Sequence, residues 1–161
     1  MCSDAREPLP FADASFDALT CIDSFNHLYE RERGLGEWHR VLRPGARLLF
    51  TDPIVVTGMI RREEMIVRSG SMGEFVFTPP GLDDQLVRDA GFVDVRVEDV
   101  TANMSEVAAR WRDARELHRE DLDRIEGAEQ NRAFQHFLDV VDILARERRL
   151  SRLAYVAAKP A

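Results

Sequence analysis

The sequence predicts an α/β fold, and three observations carry that reading. Short, nearly continuous apolar runs alternate with segments of helical period, Pro and Gly punctuate the joints between them, and a last apolar run closes the chain. Phe16-Asp17-Ala18-Leu19-Thr20-Cys21-Ile22 and Arg47-Leu48-Leu49-Phe50-Thr51 have the pattern of parallel strands covered on both faces, which predicts central positions. Phe92 to Val100 differs, because Val93, Val95 and Val97 alternate with Asp94, Arg96 and Glu98, as on an edge strand with one wet face. Leu153 to Ala158 is apolar throughout, so it is expected between neighbours.

Helices are expected between the strands. Leu35, Trp38 and Leu42 recur at helical spacing, and Arg43-Pro44-Gly45 ends that stripe. Leu82, Leu86 and Ala90 form a second stripe, preceded by Thr78-Pro79-Pro80-Gly81 and closed by Gly91, which can adopt the left-handed cap. Residues 103–149 read as a helical insertion within a single domain spanning 1–161. It opens at Asn103 with Glu106 three residues on, and breaks at Gly127 between the stripes Val107/Trp111/Ala114 and Phe134/Leu138/Val141/Leu144-Ala145. Such an insertion should form a lid or cap.

Composition narrows the function. The 161 residues suit one domain, and 45% apolar with 32% charged content is ordinary for a globular chain. A formal charge of -7 argues against nucleic acid, whose phosphates need clustered Lys and Arg, and favours a small-molecule substrate. Cys2 and Cys21 stand too far apart for a C-x-x-C, which suits a reducing cytoplasm. The chain start lacks a basic segment followed by an apolar one, and no apolar run approaches the roughly 18 residues of a membrane span, so neither export nor a membrane is expected. His27, His39, His118 and His136 form no H-E-x-x-H and have no cysteine partners, so no metal is expected. A G-x-S-x-G elbow and a phosphate-binding G-x-x-x-x-G-K-[ST] loop are also missing.

Asp4-Ala5-Arg6-Glu7-Pro8-Leu9-Pro10-Phe11, Ser15 to Ile22, Arg40-Val41-Leu42-Arg43-Pro44-Gly45 and Ala90-Gly91-Phe92 follow one another in a telling order and spacing. They resemble the acidic adenine motif, the fourth strand, the turn before the fifth strand and the entry to the sixth strand of class I S-adenosylmethionine-dependent methyltransferases of the type 11 kind. The resemblance covers Asp4 to about Val100. It implies the C-terminal part of a Rossmann-like methyltransferase sheet, strands four to seven, with the helical cap inserted. It also implies S-adenosylmethionine as cofactor and methyl transfer to a small molecule. No glycine-rich strand-to-helix turn precedes Asp4. The first three βα units, about 90 residues at roughly 30 each, are therefore expected to be absent, together with the helix N-terminus that grips the cofactor. That would leave the Phe16 to Ile22 strand with an open edge, suited to a homodimer or to an intact methyltransferase partner.

By the same resemblance Asp4 would accept a hydrogen bond from the adenine amino group, and the Ala5 amide would meet a ring nitrogen. The alternative for Asp4 is a solvated turn. Ile22 and Asp23 fall at the carboxyl end of a strand, where open α/β sheets bind ligands, so their backbone should line the cofactor cleft; Asp23 could instead cap the next turn. Phe25-Asn26-His27-Leu28 follows, and His27 could serve as general base, since imidazole is the side-chain type suited to proton transfer around neutral pH, or could simply pack. Phe25 and Asn26 are candidate substrate contacts on the same turn. Phe75 and Phe77 could line the substrate pocket or belong to the core. Trp111, Arg115 and His118 on the cap could reach a substrate, with Arg115 forking onto a carboxylate, or could form a solvated charged face. Arg146, Arg148, Arg149 and Arg152 read as a surface cluster paired with nearby acids.

A different reading is a non-catalytic remnant or interaction subunit that docks through its open strand edge. A fragment of a dinucleotide-binding dehydrogenase explains neither the Asp4 to Phe11 motif nor the Val41 to Gly45 turn.

Overall fold

The computed structural model describes residues 7–70 and 75–161, so Asp4 and Ala5 lie outside the described residues. In chain order the elements are β1 (Phe16–Ile22), a 3-10 turn (Phe25–His27), α1 (Arg31–Val41), β2 (Leu42–Val56), α2 (Arg62–Gly70), α3 (Leu82–Asp89), β3 (Val93–Asp99), α4 (Thr101–Leu117), α5 (Arg119–Ile125), α6 (Ala128–Arg146) and β4 (Leu150–Ala158). The sheet order is β1-β2-β4-β3. β1 runs parallel to β2, and β4 runs antiparallel to both β2 and β3. The apolar C-terminal strand thus lies between neighbours, and β3 is an edge.

α1 and α3 cover one face of the sheet. Leu35 and Trp38 of α1, Val87 of α3 and Phe50 and Tyr155 of the sheet share one buried cluster, with the Phe50 and Tyr155 rings stacked at 4.5 Å. Each fully buried side chain of this size contributes about 1.5–3 kcal/mol. The predicted α3 stripe is shifted: Val87 and Asp83 point fully inward while Leu82 is exposed. Gly91 closes α3 at φ +91, a backbone state that a Cβ disfavours.

β1 departs from the central position its apolar sequence predicts. Leu19 and Cys21 pack against the core, but Phe16, Ala18, Thr20 and Ile22 on the other face are exposed. Among the described residues no strand pairs with its outer edge. In β3 the expected alternation is broken by an irregularity between Val93 and Arg96, with Asp94 at φ +53. Val93 pairs with Ala158 and Val97 with Tyr155, an even and an odd position of β4, so the two valines face opposite sides of the sheet.

β2 is longer than the five-residue run that announced it, and it carries a register shift between Asp52 and Val55, where Pro53 has no N–H to give the ladder. α2 is an element the apolar pattern did not reveal. Its start is held by Glu64 Oε2, which accepts the Arg61 N–H at 2.8 Å, three residues back as in a capping box. The cap begins at Thr101 rather than Asn103, because Asp99 Oδ1 accepts the Thr101 N–H at 2.9 Å. It breaks at His118 as well as at Gly127, which adopts φ +92. α6 is buried along two faces. Phe137, Leu138 and Val141 meet Met104 and Ala108 of α4, while Val140 and Leu144 meet Ile54 and Leu150 of the sheet.

Between these layers lies a buried charged cluster. Arg31 Nη1 donates to Asp52 Oδ2 at 2.7 Å and to Asp83 Oδ1 at 2.6 Å, and its Nη2 donates to the Val76 carbonyl at 2.9 Å. None of the three charged side chains is more than 3% exposed. Burial pushes the Asp83 carboxyl up to about 6, against the opposing pull of Arg31. A carboxyl raised in the folded state holds its proton where the unfolded chain has lost it, so its contribution to stability falls as pH rises from about 4 to about 6. Asp83→Asn keeps an acceptor for Arg31 without the titration. In urea unfolding across that window, the stability of the parent relative to Asp83→Asn is expected to decline as pH rises; a constant difference would remove Asp83 from the pH response.

Candidate active site at the carboxyl end of the sheet

The site starts where β1 ends. Asp23 turns the chain sharply, at φ +51, a left-handed conformation that Asp tolerates better than most residues. Thr51 of the neighbouring strand secures the turn, its hydroxyl accepting the Asp23 N–H at 3.0 Å and donating to Asp23 Oδ1 at 2.6 Å. Arg152 of β4 donates to the same oxygen at 2.9 Å and to Asn103 Oδ1 at 2.8 Å. Three strands' ends and the first turn of α4 are therefore tied at one point.

The 3-10 turn that follows separates its side chains. Phe25 goes into the core, under the Arg31 guanidinium at 4.8 Å and against Trp38 and Phe50. Asn26 and His27 instead line a cavity of about 340 Å³, within the range of small-molecule pockets. The His27 ring lies 4.8 Å from that of Phe75. α4 closes the cavity with Met104, Val107, Ala108 and Trp111, and α6 with Phe137, Leu138 and Val141. Pro53, at the β2 irregularity, and Arg68 of α2 complete the wall with Asp23, Asn103 and Arg152. The result is a largely apolar chamber with a few polar groups converging on it.

Of the residues singled out in the sequence, Asp23, Asn26, His27, Phe75 and Trp111 meet around this chamber. Trp111 stands at its margin, 52% exposed. Ile22 is exposed at the adjoining strand end. Four others are placed elsewhere. Phe25 is fully buried in the main core. Phe77 packs against the Ile54, Val140, Leu144 and Leu150 cluster. Arg115 is spent on Glu126 at 2.5 Å and Asn131 at 2.8 Å, over the Phe134 ring, and is not free to fork onto a carboxylate in this chamber. His118 is exposed at the junction of α4 and α5.

Sequence reasoning missed Arg68, Pro53, Asn103 and the cavity role of Arg152. Asn103 was read as a helix cap, and Arg152 as one of a surface cluster. That cluster is dispersed onto separate acids: Arg146 onto Asp142, Arg148 onto Asp99, Arg149 onto Glu64 and Arg152 onto Asp23. Arg68 follows the apolar run Met65-Ile66-Val67, the one local hint that its side chain leaves the solvent. Among the described residues no group of three or more metal-ligating side chains comes together, and no helix is long and apolar enough to cross a membrane.

Comparison with known proteins agrees with this geometry. Residues 1–50 match the family model described as a methyltransferase domain. The chain is 32% identical over 139 residues, 84% of its length, to a sarcosine/dimethylglycine N-methyltransferase of Halorhodospira halochloris, covering 46% of that protein. It is 32% identical over 133 residues, 79% of its length, to a 27-O-demethylrifamycin SV methyltransferase of Amycolatopsis mediterranei, covering 47%. The chain thus spans about half the length of these relatives. Its fold matches 98% of its residues to a Haemonchus contortus phosphoethanolamine N-methyltransferase 2 structure, solved with phosphomonomethylethanolamine and S-adenosylhomocysteine. The TM-score is 0.85 at 19% identity, over 36% of that chain. By sequence the chain is similar over most of its length to class I S-adenosylmethionine-dependent methyltransferases, and it shares their Rossmann-like fold.

Proposed function

We propose that the chain forms the acceptor side of a methyl-transfer site, with S-adenosylmethionine against the carboxyl end of β1 and a small-molecule acceptor in the chamber beneath α4 and α6. The observation that carries this reading is the chamber itself, which is lined by Asp23, the residue after the exposed Ile22, and walled mostly by apolar side chains. The exposed Ile22 side chain and the Asp23 turn fit a cofactor edge, while Asp4 and Ala5, assigned to adenine by family resemblance, lie outside the described residues. The cofactor, when bound, supplies an electrophilic methyl group on a sulfonium. The chain's own residues then align the acceptor and exclude water, which is most of what such a transfer needs. His27, on the chamber wall, would receive the proton that an amine or hydroxyl acceptor releases on methylation. The relatives are named for N- and O-methylation, so either atom is consistent with the family. The half-buried free thiol of Cys21 suits a reducing, cytoplasmic setting.

A second reading rests on β1, whose outer edge is unpaired among the described residues and whose Phe16 and Ile22 are exposed. Such an edge takes a partner strand, from a second copy or from an intact methyltransferase.

Three outcomes are expected. Adding S-adenosylhomocysteine to the labelled chain should shift the amide resonances of Ile22, Asp23 and His27; a folded sample with these signals unmoved would place the cofactor elsewhere. In the assembly that turns over, His27→Ala is expected to lower kcat about a hundredfold with KM little changed; an intact turnover number would assign the ring to packing on Phe75. Sedimentation is expected to reveal concentration-dependent association, and a strict monomer at high concentration would count against the open edge as an interface.

A further inference from the structure

Arg68 is out of place for a structural arginine. It is 3% exposed, yet among the described residues its guanidinium makes no hydrogen bond or ion pair, and its buried Nε has no partner. Its contacts are the faces of two rings, Phe75 at 5.3 Å and Phe137 at 4.8 Å, and both rings line the chamber that Arg68 also lines. The nearby carboxylates are already engaged: Asp23 by Thr51 and Arg152, Asp52 by Arg31 and the Ile54 N–H. A buried cation without an anion is costly, and ring faces compensate only in part. Burial accordingly lowers its pKa to about 10. Other buried or half-buried arginines in this chain have acids: Arg31 has two, and Arg115, Arg149 and Arg152 have one or more each. Asn26 repeats the pattern, since it is fully buried on the same chamber wall with both carboxamide atoms unpartnered among the described residues.

We infer that Arg68 is the anion anchor of the acceptor pocket, and that the molecule bound there carries a carboxylate or phosphate group, seated on Arg68 between Phe75 and Phe137. The inference rests on the chamber being the acceptor pocket, and it names the substrate class: a small anionic compound whose methylated atom lies away from its oxyanion. An oxyanion entering the chamber supplies the missing counter-charge, and a planar guanidinium can hold it through two parallel N–H donors. The two flanking rings fix the plane of the fork and keep water from competing for it. Asn26 remains as donor and acceptor for a second polar group on the same molecule.

The test needs neither cofactor nor turnover. The isotope-labelled 161-residue chain is titrated with benzoate, phenyl phosphate and the neutral benzamide, following the Arg68 Nε–Hε signal and the amides of the chamber. At least one anion is expected to bind saturably and move the Arg68 signal, with benzamide at least about tenfold weaker. The tighter of the two anions tells carboxylate from phosphate. Arg68→Gln is expected to weaken the anion at least about tenfold and Arg68→Lys by less, with thermal melts confirming that both variants fold. Equal binding of benzoate and benzamide, no anion binding by the folded parent, or unchanged anion affinity in Arg68→Gln would each overturn the assignment. If the anions bind and S-adenosylhomocysteine does not, the anion site stands and the methyl-transfer reading fails; the reverse leaves methyl transfer with a neutral acceptor.

Discussion

The arrangement of this molecule depends on one buried ion cluster. Arg31 stands at the first turn of α1 and reaches Asp52 at the end of β2, Asp83 at the start of α3 and the backbone of Val76. Removing one member of such a cluster leaves an uncompensated charge inside and costs about 3–5 kcal/mol. The geometry is therefore strongly enforced even where the net gain in stability is small. Its consequence for the site is indirect. The guanidinium also lies over Phe25, and Asn26, the next residue, accepts the Val76 N–H at 2.9 Å through its backbone carbonyl. Asn26, His27 and Phe75 are thereby held against the sheet by a charge that touches none of the cavity.

A second constraint builds the roof. The irregularity at Pro53 bends the end of β2 away from a regular ladder and exposes the proline to the chamber. Above it, α6 is gripped from both sides, by α4 along one face and by Ile54 and Leu150 along another. Arg149 adds a paired contact to Glu64 at 2.5 and 2.7 Å, which draws the end of the cap onto α2. The cap is thus joined to the sheet through a shared core rather than a hinge alone, and α2 is positioned so that Arg68 turns inward.

Much of this was legible in the chain. The strand and helix order, the edge position of β3 and the inner position of β4 followed from apolar runs and period, because burial on one face or two leaves a direct mark on residue type. Asp23, Asn26, His27 and Phe75, which meet around the chamber, stand out in the sequence by their place just beyond a strand's carboxyl end or in a loop, where ligands of such sheets gather. Arg115 and His118 show the limit of that approach. A helical stripe tells which residues are neighbours along one helix, not which neighbour faces a cavity, so Arg115 lies with Glu126 while Trp111, one turn earlier, reaches the chamber. In β3 one extra residue reversed the facing of Val97, a change no alternation of residue types announces.

By itself the sequence determined the layers of this protein, its likeness to one family and the strand end beside which the chamber lies, since each is written in local periodicity or in contiguous motifs. Tertiary structure alone decided which charges are satisfied. Arg68, Arg149 and Arg152 look alike along the chain, yet Arg149 and Arg152 find carboxylates distant in sequence, whereas Arg68 is enclosed by two rings. Electrostatic compensation acts through space over a few ångströms, and the chain brings its partners that close only by folding.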